Sequence, residues 1–335
     1  MAQPSDAAQT MRALRTHDYA AGAMPTLDRL PRPACGAGEV RVRVEACGVS
    51  FVDLLLMEGA YQVRPALPFV PGSEFSGVVD AVADADSAGL RVGDRVCGTR
   101  QGAWAEYLSL PAQALQRVGA DAPSHETAVL VAPYATALYA LRHRARLAAG
   151  ETLLVLGAGG AVGHAAVQLG ALLGARVLAG ASAPAKRAAA LAAGAEAVFD
   201  TSGPWKDAVR ALTGQAGVQV VFDPVGGAAT DTGFRTLGWG GRHLMVGFAG
   251  GEIGALKTNL PIVKGADLLG VDFRQAVARD PQAAAEAKRE VVALYTAGRL
   301  RPLVHAQLPV ERFAEAAALV RARTTLGRVV LRWQD

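Results

Sequence analysis

Two rhythms of apolar residues divide the chain. Through about residue 118, apolar and polar positions alternate in short runs such as Val40-Arg41-Val42-Arg43-Val44, heavily punctuated by Gly and Pro. Alternation of period two predicts strands with one wet face, and Gly77–Val82, Gly93–Gly98 and Ala103–Leu108 continue it. An antiparallel, barrel-like β domain is expected there. From His125 the pattern turns helical. From Glu151, short apolar runs near 152, 175, 197, 218, 242 and 267 alternate with helical segments. That alternation implies an α/β fold with a parallel, doubly wound sheet, in which Val218–Asp223 and His243–Gly247 are the fourth and fifth strands. Beyond about 275 the pattern predicts helices over Pro281–Ala297 and Val310–Arg323 and a last strand over Gly327–Leu331, a tail expected to rejoin the first domain. The expected domains are therefore 1–132 with 275–335, and 133–274, with a ligand in the cleft between them. Residues 1–10 read as a loose polar tail.

Charge adds a sharper signal. No Asp or Glu occurs between Glu151 and Glu196. That stretch reads as a strand at Leu153–Leu156, a tight turn over Gly157-Ala158-Gly159-Gly160-Ala161-Val162-Gly163, and a helix from His164 to Leu173. Glycine lets the backbone approach a pyrophosphate, and a helix N-terminus offers unpaired N–H groups and a positive dipole end. Gly157, Gly159, Gly160, Ala161, Val162 and Gly163 are thus candidate dinucleotide-binding positions. Their spacing is G-x-x-G-x-x-G, and Val162 stands at the third glycine position of G-x-G-x-x-G. A second strand, Ala175–Ala179, leads into Gly180-Ala181-Ser182, where an NAD-specific site usually places an acid on the ribose 2′-hydroxyl. Ser182, Lys186 and Arg187 stand there instead. A carboxylate would repel a 2′-phosphate and these groups can bind it, so NADPH is expected over NADH.

Composition excludes several classes. With 335 residues, 51% hydrophobic and 19% charged, the chain is long enough for two cored domains and is not disordered. Its formal charge of +4 is spread without a basic stripe, which argues against a nucleic-acid partner. All apolar runs are shorter than the roughly 18 residues of a membrane span, and residues 1–20 lack the apolar centre of a signal peptide; a cytoplasmic location without a membrane is expected. Cys35, Cys47 and Cys97 show no C-x-x-C spacing and suggest neither a disulfide framework nor a cysteine-rich zinc site.

Several motifs in one order carry a resemblance that covers nearly the whole chain. They are Cys47-Gly48-Val49-Ser50-Phe51-Val52-Asp53, Gly59-Ala60-Tyr61, Pro71-Gly72-Ser73-Glu74-Phe75-Ser76-Gly77, the turn at 157–163, Asp223-Pro224-Val225-Gly226-Gly227, Val246-Gly247-Phe248-Ala249 and Arg323-Thr324-Thr325-Leu326-Gly327. Together they resemble the medium-chain dehydrogenase/reductase superfamily, in its zinc-free, zeta-crystallin-like NADPH:quinone oxidoreductase branch. The resemblance implies a GroES-like β-barrel catalytic domain and a Rossmann domain. Zinc dehydrogenases of the superfamily look similar here but carry a metal-binding Cys at the position of Ser50 and a metal-binding His at that of Ser73. A four-cysteine structural loop is also missing between Val92 and Leu110. No metal is therefore expected. Without a Lewis acid, alcohol oxidation is disfavoured, and hydride transfer from NADPH to a quinone or an α,β-unsaturated carbonyl is the implied activity.

Alternatives stay open: an enoyl-thioester reductase of the acryloyl-coenzyme A kind, or a non-catalytic protein that binds NADPH or RNA. By the same resemblance Tyr61 lies beside the nicotinamide, as a proton donor or as a packing surface over which water delivers the proton. Ser50, Phe51, Thr136, Asp223, Val225, Gly247, Phe248, Ala249 and Arg323 are implied near the cofactor, with Asn259 and Phe273 weaker candidates and Phe273 equally readable as core. Three departures weaken the match: Ser50 where many relatives have Asn, Leu55 where an additional Tyr is common, and Thr201 where a Tyr often lies near the 2′-phosphate. Asp53 and Glu74 are expected to hold loops, and His164 to pack. A homodimer through the Rossmann domain is implied as well.

Overall fold

A computed structural model describes residues 10–20, 22–83 and 87–333. Nearly all of the tail expected at 1–10 lies outside these residues. The chain divides into two compact units, one running to Ala132 and resuming at Val292, the other spanning Pro133–Val291. The second division falls at Val292 rather than at 275. Side chains beyond 275 stay with the parallel-sheet unit, as the pairing of Glu290 with Arg142 shows.

The first unit is built on a seven-stranded sheet. Its strands run in the order Val304–Pro309, Arg328–Arg332, Glu39–Val49, Glu74–Val82, Arg95–Thr99 and Leu115–Arg117, with Tyr107–Pro111 paired to Glu39–Val49 off this path. The C-terminal segment thus supplies two of the strands. In the long strand Glu39–Val49 the alternating Val40, Val42, Val44 and Ala46 are fully buried. Arg41 between them is buried too and is held by Asp80, 2.7 Å away. The strand expected over Ala103–Leu108 forms at Tyr107–Pro111 instead. Trp104 is the reason: its ring is buried against Phe313 and its Nε1 donates to the Gly48 carbonyl at 3.0 Å, so the preceding residues serve as a core anchor. The helix expected from Val310 to Arg323 is a short 3-10 turn, Val310–Arg312, followed by an α-helix, Phe313–Arg321.

The second unit is a six-stranded parallel sheet in the order Ala197–Asp200, Arg176–Ala181, Thr152–Val155, Val218–Asp223, Leu237–Met245 and Asp267–Gly270. Counted from Thr152, this is the doubly wound order 3-2-1-4-5-6, whose chain direction switches between the first and fourth strands. All four residues of Thr152–Val155 are buried, as expected of a strand covered on both faces. The helix Ala161–Leu172 packs directly on it; a Cβ on Gly170 would come within 2.5 Å of Leu153. That helix begins at Ala161 rather than at His164, because extended Gly160 (φ −85°, ψ 164°) serves as its N-cap. The second strand runs on to Ala181, past the expected end at Ala179. The fifth starts at Leu237 and stops at Met245, which leaves Val246–Phe248 in a loop.

Candidate functional site

The glycine turn joins the innermost strand to its helix, and Gly157, Gly159 and Gly163 each have a distinct reason to be glycine. Gly157 turns the chain at φ +60°, a conformation that disfavours a side chain. A Cβ on Gly163 would overlap the Gly157 carbonyl, so only glycine lets the helix start fold back onto the turn. A Cβ on Gly159 would collide with the stem of Lys186. The Ala158 N–H donates to the Gly180 carbonyl and the Gly160 N–H to the Gly157 carbonyl, which ties the turn to the second strand. Beyond Gly160 the first N–H groups of a 12-residue helix, on Ala161, Val162 and Gly163, have no helical acceptor. Such a cradle suits a pyrophosphate.

At the adenosine end the candidates separate. Ser182 is exposed beyond the second strand. Lys186 lies across the turn at Gly159, and partial burial lowers its pKa. Gly180 sits inside the strand, not in a loop; a Cβ there would strike Phe199 and Thr201, so it serves packing. Arg187 points elsewhere, toward the Ala181 carbonyl and the carboxylate of Asp200. Asp200 had no place among the sequence candidates. The signal for it was its position at the end of a predicted strand neighbouring the second one.

Opposite the turn, across the switch point, stands the loop after the fourth strand. Val225 would touch a Cβ on Gly157 at 3.0 Å, which brings the two candidate segments together. Asp223 organises this loop: its Oδ1 accepts the N–H groups of Val225 (2.8 Å) and Gly226 (3.0 Å), and its Oδ2 accepts the Thr230 hydroxyl (2.8 Å). His243, fully buried on the fifth strand, places Nε2 3.2 Å from the same Oδ2. Burial pushes the Asp223 carboxyl up, but the bonds from His243, Gly226 and Thr230 outweigh it and hold the group below the usual carboxylate range. Asp223 is thus a buried loop organiser. The segment carrying Gly247, Phe248 and Ala249 is knitted to this loop by Val246 N–H to Asp223 O, Ala249 N–H to Pro224 O and Gly250 N–H to Val225 O. In the same unit, Thr136 lies in the helix Val131–Tyr139, one turn before Tyr139, whose ring meets Phe273 at 5.7 Å.

In the first unit, Ser50 caps the helix Phe51–Met57. Its hydroxyl accepts from the Asp53 N–H (3.1 Å) and its own N–H donates to the Asp53 carboxylate (2.9 Å). The guanidinium of Arg323, itself at φ +55°, lies 5.1 Å from the Phe51 ring. Phe51, which follows the capping Ser50, and Arg323 are thus two sequence candidates from distant segments that meet. Tyr61 is half-buried in the bend that follows this helix. Beneath, Glu74 is 1% exposed and its Oε1 lies 2.9 Å from Arg328 Nε. The contact is an ion pair without hydrogen-bond alignment, and both Glu74 oxygens lack such a bond among the described residues. Burial pushes the Glu74 carboxyl up, Arg328 opposes this and the Asp53 charge adds to it, with the result at about 7. Arg328 was missed in the sequence because its partner lies in a remote segment. Among the described residues no three His, Cys, Asp or Glu side chains gather as a metal site would need.

Residues 36–120 match the family model of the alcohol dehydrogenase GroES-like domain, and residues 161–289 that of zinc-binding dehydrogenase. The chain is 36% identical over 304 residues to quinone oxidoreductase-like protein 2 of Rattus norvegicus, an alignment covering 90% of this chain and 86% of that one. Among solved structures it resembles a mycobacterial protein complexed with NADPH, with a TM-score of 0.88, 29% identity and 96% and 100% of the two chains covered. It also resembles the quinone oxidoreductase of Thermus thermophilus, solved alone and with NADPH, at a TM-score of 0.85 and 31% identity over 96% and 100% of the chains. With two family models in the expected order and relatives matched over most of their length, the chain belongs to the medium-chain dehydrogenase/reductase superfamily, in its quinone oxidoreductase branch.

Proposed function

We propose that the protein is an NADPH-dependent oxidoreductase that reduces a quinone or an α,β-unsaturated carbonyl without zinc. The observation that carries this reading is the glycine cradle at 157–163, crossed by Lys186. Bound there, NADPH supplies the hydride. The chain's own part is to hold the pyrophosphate at the start of helix Ala161–Leu172, the adenosine phosphate at Ser182 and Lys186, and the nicotinamide half near Thr136 and Gly247–Ala249. Within the first unit, Ser50, Phe51 and Arg323 are the remaining cofactor candidates. Asp223 supports this arrangement from beneath and does not itself face the ligand.

The donor set near Ser50 does not suit zinc. Serine hydroxyls are poor ligands beside thiolate and imidazole, the Ser50 hydroxyl is engaged as a helix cap, and Glu74 faces Arg328. An acceptor that is already electrophilic needs positioning more than a Lewis acid. Tyr61 is the proposed proton donor, with water over its ring as the other route; an unchanged kcat in Tyr61→Phe would remove it as an obligatory acid. The partner is a small molecule rather than nucleic acid, and the location cytoplasmic. A homodimer through the parallel-sheet unit is supported by its exposed Trp239, Ile253, Ile262 and Val263, each at least 68% exposed, of which Ile262 and Val263 lie close in sequence to the edge strand Asp267–Gly270.

The test follows NADPH absorbance against 1,4-benzoquinone, 9,10-phenanthrenequinone, an aliphatic enone and acryloyl-coenzyme A, with NADH and a chelator as controls. Turnover of a quinone or the enone with NADPH, indifferent to chelator, is expected. Tight NADPH binding with no turnover on any acceptor would favour the non-catalytic reading, and loss of activity with chelator would overturn zinc independence.

A further inference from the structure

Along the chain the adenosine end of the glycine-turn unit is free of acid, but the folded sheet puts an acid back. Asp200 closes the third strand, and the parallel register sets it beside Ala181 of the second. Neighbouring strands lie about 4.8 Å apart, and Ser182 follows Ala181 directly. A carboxylate at this end of the second strand is what NAD-specific sites use to take the ribose 2′-hydroxyl. Against a 2′-phosphate, with its charge of about −1.5 to −2, the same carboxylate is repulsive. Asp200 is held firmly ionised, because the Ser202 hydroxyl and N–H both donate to its Oδ1, at 2.7 and 2.8 Å, and lower its pKa.

Arg187 answers this charge. Its Nη1 lies 3.1 Å from Asp200 Oδ2 and donates to the Ala181 carbonyl at 2.8 Å, which anchors the guanidinium at the strand end. Lys186, one position earlier on the same helix, projects about 100° away, and its stem crosses Gly159. The two adjacent cations are therefore directed to different places. Resting on the NADPH reading above, we propose that Arg187 is a charge shield and not a phosphate ligand: it neutralises Asp200 so that Ser182 and Lys186 can receive a 2′-phosphate. Specificity for the phosphorylated cofactor is then a property of the Arg187–Asp200 pair.

A double-mutant cycle tests this by measuring dissociation constants for NADPH and NADH, by calorimetry, with wild type, Arg187→Gln, Asp200→Asn and the double variant. Arg187→Gln should weaken NADPH about fivefold, the scale of one half-exposed charge contact, and change NADH less than about twofold. Adding Asp200→Asn should restore NADPH to within about twofold of wild type, because the unmasked charge is gone. In about 1 M salt, where screening acts within about 3 Å, the Arg187→Gln effect should shrink. A double variant as weak as Arg187→Gln would show that Arg187 holds the phosphate itself and would overturn the proposal. Arg187→Met, which keeps the apolar stem, repeats the cycle should the glutamine variant not fold. Wild-type protein that binds NADH as tightly as NADPH would instead defeat the NADPH reading, and the two failures are separable.

Discussion

Two carboxylates and one guanidinium share a buried space under the Ser50 cap. Asp53 is fully buried and Glu74 1% exposed, so burial raises both carboxyls, Glu74 to about 7 from 4.5. A group that binds its proton more tightly when folded contributes stability below its unfolded pKa and loses it as pH rises through the folded value. Here that window is roughly pH 4.5 to 7, and the shift corresponds to about 3 kcal/mol. Thermal melts between pH 4.5 and 8 should therefore show wild-type stability falling with pH, and Glu74→Gln should flatten the fall; an unaltered slope would mean that Glu74 is ionised throughout. The Asp53 cap is local and legible at positions 50–53. The Glu74–Arg328 pair is not, since nothing near position 74 announces a partner on the last strand.

Among elements, the glycine turn is where backbone shape and candidate chemistry coincide. Gly163→Ala would push a methyl group into the Gly157 carbonyl, whereas Gly160→Ala meets only that same oxygen at 3.5 Å with an ordinary extended backbone. Overpacking of this kind costs about 1–3 kcal/mol. Gly163→Ala should therefore lower Tm and weaken NADPH at least about tenfold, and Gly160→Ala should leave both nearly unchanged, as melts and calorimetric titration can check; equal effects would refute this division of roles. The turn was legible because its residues are contiguous. The start of the helix was misplaced at His164 because glycine is a poor interior helix former, while close approach to Gly157 overrides that preference at Gly163.

For the whole molecule, the parallel sheet ends on Asp267–Gly270, with Leu268 45% and nearby Ile262 and Val263 more than two-thirds exposed. An edge strand with apolar neighbours invites a second copy. Light scattering should give about twice the 34.5 kDa chain mass, and Ile262→Glu with Val263→Glu should return it to one chain; a monomeric wild type would reject the dimer. Among the described residues no helix is long and apolar enough to cross a membrane, in keeping with the short apolar runs of the sequence.

What the sequence determined by itself is whatever depends on neighbours along the chain. The change from alternating to solid apolar runs set the two sheet types, since each run carries its own burial pattern. The glycine turn and the serines at 50 and 73 were equally visible, because residue identity alone defines their chemistry. Only the tertiary structure decided the pairings between remote segments. It set Asp200 beside Ala181, turned Arg187 away from Lys186, laid Arg323 near Phe51, put His243 under Asp223 and ran Arg328 past Glu74. Each of these follows from strand register and packing, long-range quantities to which residues far apart in the chain contribute jointly.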